Sequence, residues 1–316
     1  MGNRVTDILN IKYPIIQGGM GNISDPNLAS AISEAGGLGT IGVGTIPVEE
    51  VRLKIETMVK NTDQPCCVNI PISVHPDTEQ VVKEVIKYKV PVVSLSAGNP
   101  STLIPLFHEH DIKVICVTAS VRQAKKAEKA GADIVVCEGY EAAGINALNE
   151  STTMTLVPQI VKELSVPVIA AGGIADGKGL AAALSLGAQG VQMGTRFVAT
   201  NEAGFHPTYK KAILDASDEA TMIIGRRFQK IRRVMKGEYA AILLELENGD
   251  MNLEEFMEKT DEDYHEIGAK KGNMKNGFIN GGQIAGLIDD CPSVADLMKS
   301  IVKEAKEVLE ISVRQL

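Results

Sequence analysis

Residues 167–197 read PVIAAGGIADGKGLAAALSLGAQGVQMGTRF. Two short aliphatic runs, Pro167–Ala171 and Gly190–Gly194, each end at glycine, and Gly177–Leu186 between them is rich in helix formers. That order is one β–α–β unit, because a parallel strand pair needs a crossover long enough for a helix. The unit recurs upstream, with further strands predicted at Pro14–Gly18, Leu38–Val43, Cys66–Ile70, Val90–Ser94, Lys113–Val117 and Asp133–Cys137. The clearest other helices are predicted at Pro47–Lys60, Asp77–Tyr88, Val121–Ala130 and Thr155–Leu164. Strand starts at 14, 38, 66, 90, 113, 133, 167 and 190 are separated by 24, 28, 24, 23, 20, 34 and 23 residues. Eight such beats, with strands apolar throughout rather than alternating, predict a closed (β/α)8 (TIM) barrel. An open doubly wound sheet is the alternative. It usually carries GxGxxG after its first strand, and here Gln17-Gly18-Gly19-Met20-Gly21-Asn22-Ile23-Ser24 puts serine at the third glycine.

The rhythm stops after Phe197. Residues 201–280 are polar and charged, with helical patches at Pro207–Ala216, Phe228–Lys236 and Asn252–Met257. The expected organisation is a barrel over 1–200 and 281–316, closed by an amphipathic helix at Val294–Leu309. A mostly helical, lid-like insertion after strand eight would occupy 201–280 on the catalytic rim.

Composition narrows the function. The 316 residues carry 32 Lys+Arg against 40 Asp+Glu, a net charge of −8, which disfavours a nonspecific nucleic-acid or anionic-membrane binder. The long uncharged stretch Val90–His108 is broken by Pro91, Pro100 and Pro105 and is no membrane span. The first ten residues lack a signal-peptide core, and their Met-Gly-x-x-x-Thr match to a myristoylation pattern is a short one. Five cysteines without a CxxC pair suit buried thiols in a reducing compartment, so a cytoplasmic location is expected. No His/Asp/Glu set has metal-ligand spacing, and His108 and His110 read as surface residues.

In such barrels chemistry sits at the C-terminal ends of the strands. There this chain offers Gln17–Met20, Asn69, Ser96–Asn99, Thr118–Ser120, Glu138-Gly139, Gly172-Gly173 and Gly194-Thr195. The set is small, polar and glycine-rich, suited to a flat neutral ring approached by backbone. The two late turns, Ala170–Ile174 and Gln192–Phe197, fall at the strands where this architecture binds phosphate.

Across PIIQGGM (14–20), AGGLG (35–39), VNI (68–70), AGNPS (97–101), EGYEA (138–142), TTMT (152–155), 167–174, 192–197, His206-Pro207 and GQIAG (282–286), the chain resembles one family. It is that of the nitronate monooxygenases, formerly 2-nitropropane dioxygenases, and the FMN-dependent enoyl-acyl-carrier-protein reductases II. The resemblance implies noncovalent FMN. Gly172, Gly173, Gly194 and Thr195 would hold its phosphate. Gln17, Gly18, Gly19, Met20, Asn69 and Glu138 would lie along the ribityl chain and ring, with Ala143, Gln192 and Met193 beside them, and Gln283 would close the site. It also implies a small-molecule substrate, a homo-oligomer, and roles for NAD(P)H as co-substrate and for an acyl-carrier-protein or coenzyme A thioester.

One departure matters. Where the family normally supplies a histidine, presumed to be its catalytic acid or base, Glu141-Ala142-Ala143-Gly144-Ile145-Asn146 places Ile145. Asn146 is the catalytic candidate left in the loop, able to orient an anion but not to titrate; a solvated turn is the competing reading for it and for Asn149. Reducing an enoyl thioester needs a proton, and general acid catalysis is worth ~10²–10⁴-fold. Oxidising a nitronate, already an anion, needs no proton abstraction. The leading expectation is therefore nitronate oxidation with O2, followed by NAD(P)H-dependent enoyl-thioester or quinone reduction. A phosphosugar isomerase or lyase on the same barrel and a noncatalytic flavin-binding relative complete the field. His206 reads as a loop cap. The basic run Arg226, Arg227, Lys230, Arg232, Arg233, Lys236 reads either as a solvated helix face or as an attractor of cofactor phosphates.

Overall fold

The computed structural model describes residues 2–315. Eight parallel strands form the barrel: β1 (Ile15–Gln17), β2 (Gly39–Gly42), β3 (Cys66–Pro71), β4 (Val92–Ser96), β5 (Lys113–Thr118), β6 (Ile134–Glu138), β8 (Val168–Ala171) and β9 (Gly190–Met193). A short strand, β7 (Gly144–Ile145), leaves the barrel in the loop after β6. The hydrogen-bonded order is β1-β9-β8-β6-β5-β4-β3-β2. Closure between β2 and β1 is made by the Ile16–Leu38 bridge, where Gln17 N–H donates to Leu38 O at 2.9 Å and Leu38 N–H to Ile15 O at 3.0 Å.

The strands read as unbroken apolar runs because they are buried on both sides. Ile16, Leu38, Cys67, Val92, Ile115, Ile134, Val136 and Ile169 fill the barrel, plugged at its N-terminal end by Val5 and Leu9 of the helix Arg4–Leu9. Their neighbours Ile15, Val68, Val93, Val114, Val135, Val168 and Val191 pack outward against the helices. Each helix predicted within the barrel forms, and Val294–Arg314 closes the ring against Gly177–Ser185, where Gly177 N–H donates to the Glu304 carboxylate at 2.7 Å. Four of the five cysteines are buried free thiols. No helix among the described residues is long and apolar enough to cross a membrane.

The insertion differs from expectation in one stretch. Helices form at Pro207–Leu214, Glu238–Asn248, Leu253–Lys259 and Glu262–Ala269, but Phe228–Lys236 is not helical. It contains a strand, β11 (Arg232–Met235), which pairs antiparallel with β10 (Thr221–Ile224) on one side and with β7 on the other. The strand wins because it gives alternate residues two different apolar surfaces. Val234 enters the insertion's own core with Ile224, Leu243, Phe256 and Phe278, and Met235 joins the barrel's outer core. The two arginines part the same way: Arg232 lies over the Phe278 ring at 5.0 Å and Arg233 over the Tyr140 ring at 4.7 Å.

Candidate active site

Strand alternation builds the floor of the mouth. Asn69, two residues beyond Cys67, and Glu138, two beyond Val136, continue the inward-facing rows to the C-terminal rim. Asn69 is held by its amide nitrogen, which donates to Ser94 O at 3.2 Å, Ser94 Oγ at 3.3 Å and Ser96 Oγ at 3.2 Å. Its Oδ1 faces the β1 turn, 2.5 Å from where a Cβ on Gly19 would stand. Gln17 is fully buried; its Oε1 accepts from Thr40 N–H at 3.0 Å, while its Nε2 has no hydrogen-bond partner among the described residues.

Burial pushes the Glu138 carboxyl up to about 7 from an ordinary 4.5. The folded state thus holds this proton more tightly than the unfolded chain. The stability it contributes is complete below about 4.5 and is lost as pH rises through about 7. Glu138→Gln should flatten the dependence of the thermal midpoint on pH across that window in the flavin-free protein. Parallel curves for the two proteins would show that the side chain is fully solvated.

The two late glycine turns, expected to hold a phosphate, are shaped by backbone. Gly172 and Gly173 follow β8 in consecutive left-handed conformations, φ 93° and 73°, which strongly favour glycine. Thr153 fixes the turn, its hydroxyl lying 2.9 Å from Gly172 O and 3.0 Å from the Glu141 carboxylate. Gly194 ends β9, and a Cβ there would meet no described atom within 4 Å. Thr195 Oγ1 accepts from Gly282 N–H at 3.0 Å, and Gln283 N–H donates to Glu141 O at 3.0 Å. The returning segment is thereby fastened to the turn after β9 and to the β6 loop, with the Gln283 side chain exposed. Gln192 is half-buried beside Gly18 and Ala143 is half-buried near Gly282. Met193 is turned into the core, its carbonyl accepting from Gly18 N–H at 3.0 Å.

The β6 loop is more ordered than a solvated turn. Asn146 is 9% exposed, and its Nδ2 donates to Ala142 O and Gly144 O, each at 3.1 Å. Its Oδ1 is buried without a partner among the described residues. Asn149 is exposed and bonds Ala119 O and Ser151 Oγ. Ile145 is 60% exposed. His206 caps the helix Pro207–Leu214, accepting from Thr208 N–H at 3.2 Å, which is the structural role expected.

The basic run is not a helix face, and its arginines are engaged while Lys230 and Lys236 stay exposed. Arg226 pairs with Glu150 and the Tyr140 hydroxyl. Arg227 donates to Glu247 O and to Gly249 O, just past the end of the helix Glu238–Asn248, and Arg233 donates to Tyr140 O at 3.1 Å. Sequence reasoning missed one group altogether, the buried cluster of Arg232, Glu262, His265 and Asn280. Arg232 Nη2 lies 3.4 Å from Glu262 Oε1 and His265 Nδ1 3.4 Å from Glu262 Oε2. Burial alone would raise the Glu262 carboxyl, but His265 and Arg232 hold it down at about 2. Four residues drawn from 232 to 280 carry no spacing that announces such a cluster.

Eight β–α units, a glycine cradle at the last two barrel strands and an inward-facing polar layer define an enzyme of the (β/α)8-barrel class. The sequence profile of the nitronate monooxygenase family matches residues 3–79 and 72–304, and the chain belongs to that family of oxidoreductases. It is 32% identical to a probable nitronate monooxygenase of Staphylococcus saprophyticus subsp. saprophyticus, with 98% of this chain and 99% of that one covered. Among solved structures it is similar to FabK from Thermotoga maritima, at 41% identity and a TM-score of 0.93 over the full length of both chains. A nitroalkane oxidase from Streptomyces ansochromogenes, 22% identical, shares the fold with a TM-score of 0.85 over 98% of this chain and 99% of that one.

Proposed function

We propose that the chain is an FMN-dependent oxidoreductase that oxidises alkyl nitronates with molecular oxygen. The observation that carries the choice of substrate is Ile145, an exposed aliphatic residue on the β6 loop where the family's histidine is expected. Isoleucine moves no proton, and a nitronate requires none to be taken.

The residues present fit the cofactor. Gly172, Gly173, Gly194 and Thr195 would hold the phosphate through main-chain N–H groups and one hydroxyl. The Gln17–Met20 turn, Asn69 and Glu138 would line the ribityl chain and ring, and the unpaired Gln17 Nε2 is a donor waiting for an acceptor. When bound, the flavin supplies the redox chemistry. The protein's own part is to bind, to orient and to exclude water beneath the insertion. Asn146, whose Nδ2 is spent on its own loop, would hold a water through its free Oδ1, and that water rather than the amide would face the anion.

Glu138, whose carboxyl burial raises to about 7 so that part of it keeps its proton at neutral pH, favours a second reading: it could supply the proton that enoyl-thioester reduction consumes, with NAD(P)H as reductant and coenzyme A or carrier-protein thioester as substrate. The likeness to FabK from Thermotoga maritima points the same way. Oxygen uptake by the FMN-loaded protein separates the readings. Uptake with propyl-1-nitronate in the absence of NAD(P)H supports the first; none, together with NAD(P)H oxidation by crotonyl-coenzyme A, replaces it with the second.

A further inference from the structure

Glu138 and Asn146 line one small cavity in the β6 loop, with about 10 Å³ for the centre of a water molecule, the scale of a single water and of no substrate. Each brings an unspent oxygen to it. Asn146 Oδ1 is buried without a partner among the described residues. It cannot turn away to find one, because its own Nδ2 is held by Ala142 O and Gly144 O and its main-chain N–H by Ile231 O. Burial alone raises the Glu138 carboxyl, with no neighbouring charge or hydrogen bond among the described residues acting on it. Two acceptors facing one space need a donor between them, and a water is the donor that fits.

The cavity reaches the surface away from the expected flavin site. Its outer wall includes Asn149, which is exposed, and Glu150, and no residue of the β1 turn or of the two late glycine turns lines it. Arg226 of the insertion pairs with Glu150 and with the Tyr140 hydroxyl and so holds that outer edge in place. The other charges nearby are committed elsewhere. Arg233 lies over the Tyr140 ring and donates to Tyr140 O, and the Glu141 carboxylate accepts from Thr153. The strands on either side of β6 bring Thr118 and Ala171 to this level, and neither is charged.

We propose that the cavity holds one water bridging Glu138 to Asn146 Oδ1, and that protons travel between Glu138 and solvent through it, by way of the β6 loop rather than the substrate mouth. With Glu138 protonated, the water accepts from the carboxyl, gives one hydrogen to Asn146 Oδ1 and keeps the other for a bound anion. Once Glu138 has given its proton up, the water passes a hydrogen to the carboxylate as it takes one from a water outside. At each step one O–H bond breaks and one forms, and no electron moves. Asn146 is then a positioning residue for that water. The inference rests on the reading of this mouth as the active site and adds the route by which its carboxyl is recharged.

Infrared difference spectra of the purified chain across pH, with and without FMN, follow the carboxyl directly, and Glu138→Gln identifies its band. Ala147, half-buried, lies on the cavity wall, as does Ala119 after β5. Ala147→Leu fills the space. Losing the water's hydrogen bond to the carboxylate should raise the Glu138 midpoint by about one pH unit, a tenfold gain in proton affinity, and slow exchange of its proton for deuterium at least about tenfold. Ala147→Ser, whose hydroxyl can share the water's place, should leave both near the parent's values, a contrast that packing alone would not produce. Should Ala147→Leu not fold, Ala119→Val fills the cavity from the β5 side and carries the same expectation. FMN should not slow exchange in the parent. An unchanged midpoint and exchange rate in the folded, filled variants, or exchange stopped by FMN, overturns the route and gives Glu138 its solvent through the mouth. The expected shifts in a chain that takes up no FMN keep the route and remove the flavin reading instead.

Discussion

Gly194→Val is expected to yield a folded, colourless protein. The position has a negative φ, −117° with ψ −67°, and a Cβ there meets no described atom within 4 Å. The fold therefore has no reason to resist the change. The space the side chain fills is the space where main-chain N–H groups after β9 would approach a phosphate, so the branched methyls should displace it. Losing two or more charge-assisted hydrogen bonds, at roughly 1.5–3 kcal/mol each, lowers FMN affinity by at least about a hundredfold. The check is a fluorescence titration with FMN beside a thermal melt of the flavin-free protein. A melt within a few degrees of the parent's, with flavin lost, is the expected pair of results. Normal flavin affinity would move the phosphate elsewhere.

The second large effect is a gain. Ile145→His places a titrating group on the exposed side of β7, where the aliphatic side chain makes no buried contact that a ring would disrupt. If the loop lacks an acid because the native reaction uses none, the variant should reduce crotonyl-coenzyme A with NADH about 10²-fold faster than the parent. Nitronate oxidation should change by less than about threefold, since no proton is transferred to the protein in that reaction. An equal, already high thioester reductase rate in both proteins would show that Glu138 supplies the proton and that Ile145 is no impediment.

How much of this could be read without the structure differs between the two halves of the chain. The barrel was legible because its information is local and repeated: each aliphatic run, glycine break and helix announces itself within a few dozen residues, and the cradle glycines sit where the repeat ends. The strand Arg232–Met235 was hidden because its side chains are held by particular tertiary partners, Phe278 for Arg232 and Tyr140 for Arg233. Its other edge is formed by two residues of the β6 loop. No periodicity in a run of arginines reports that. Asn146 was obscure for the same reason, since its amide serves the carbonyls of its own loop only once β11 has fixed the loop, with Asn146 N–H donating to Ile231 O at 2.9 Å. His265 lies in an ordinary polar helix, and only the packing of Phe278 against its ring, 5.5 Å between centroids and 6° from parallel, shows that it is interior. Family membership, in turn, sets aside the phosphosugar isomerase that the cradle alone would have allowed.

The central claim is that two neighbouring backbone turns, Gly172-Gly173 and Gly194-Thr195, grip the phosphate of a flavin. Its most direct test compares FMN with riboflavin, which is the same molecule without the phosphate, in binding to the flavin-free protein. The account predicts FMN bound at least about a hundredfold more tightly than riboflavin, with the difference erased in Gly194→Val. Equal affinities for the two, or no affinity for either, would contradict it.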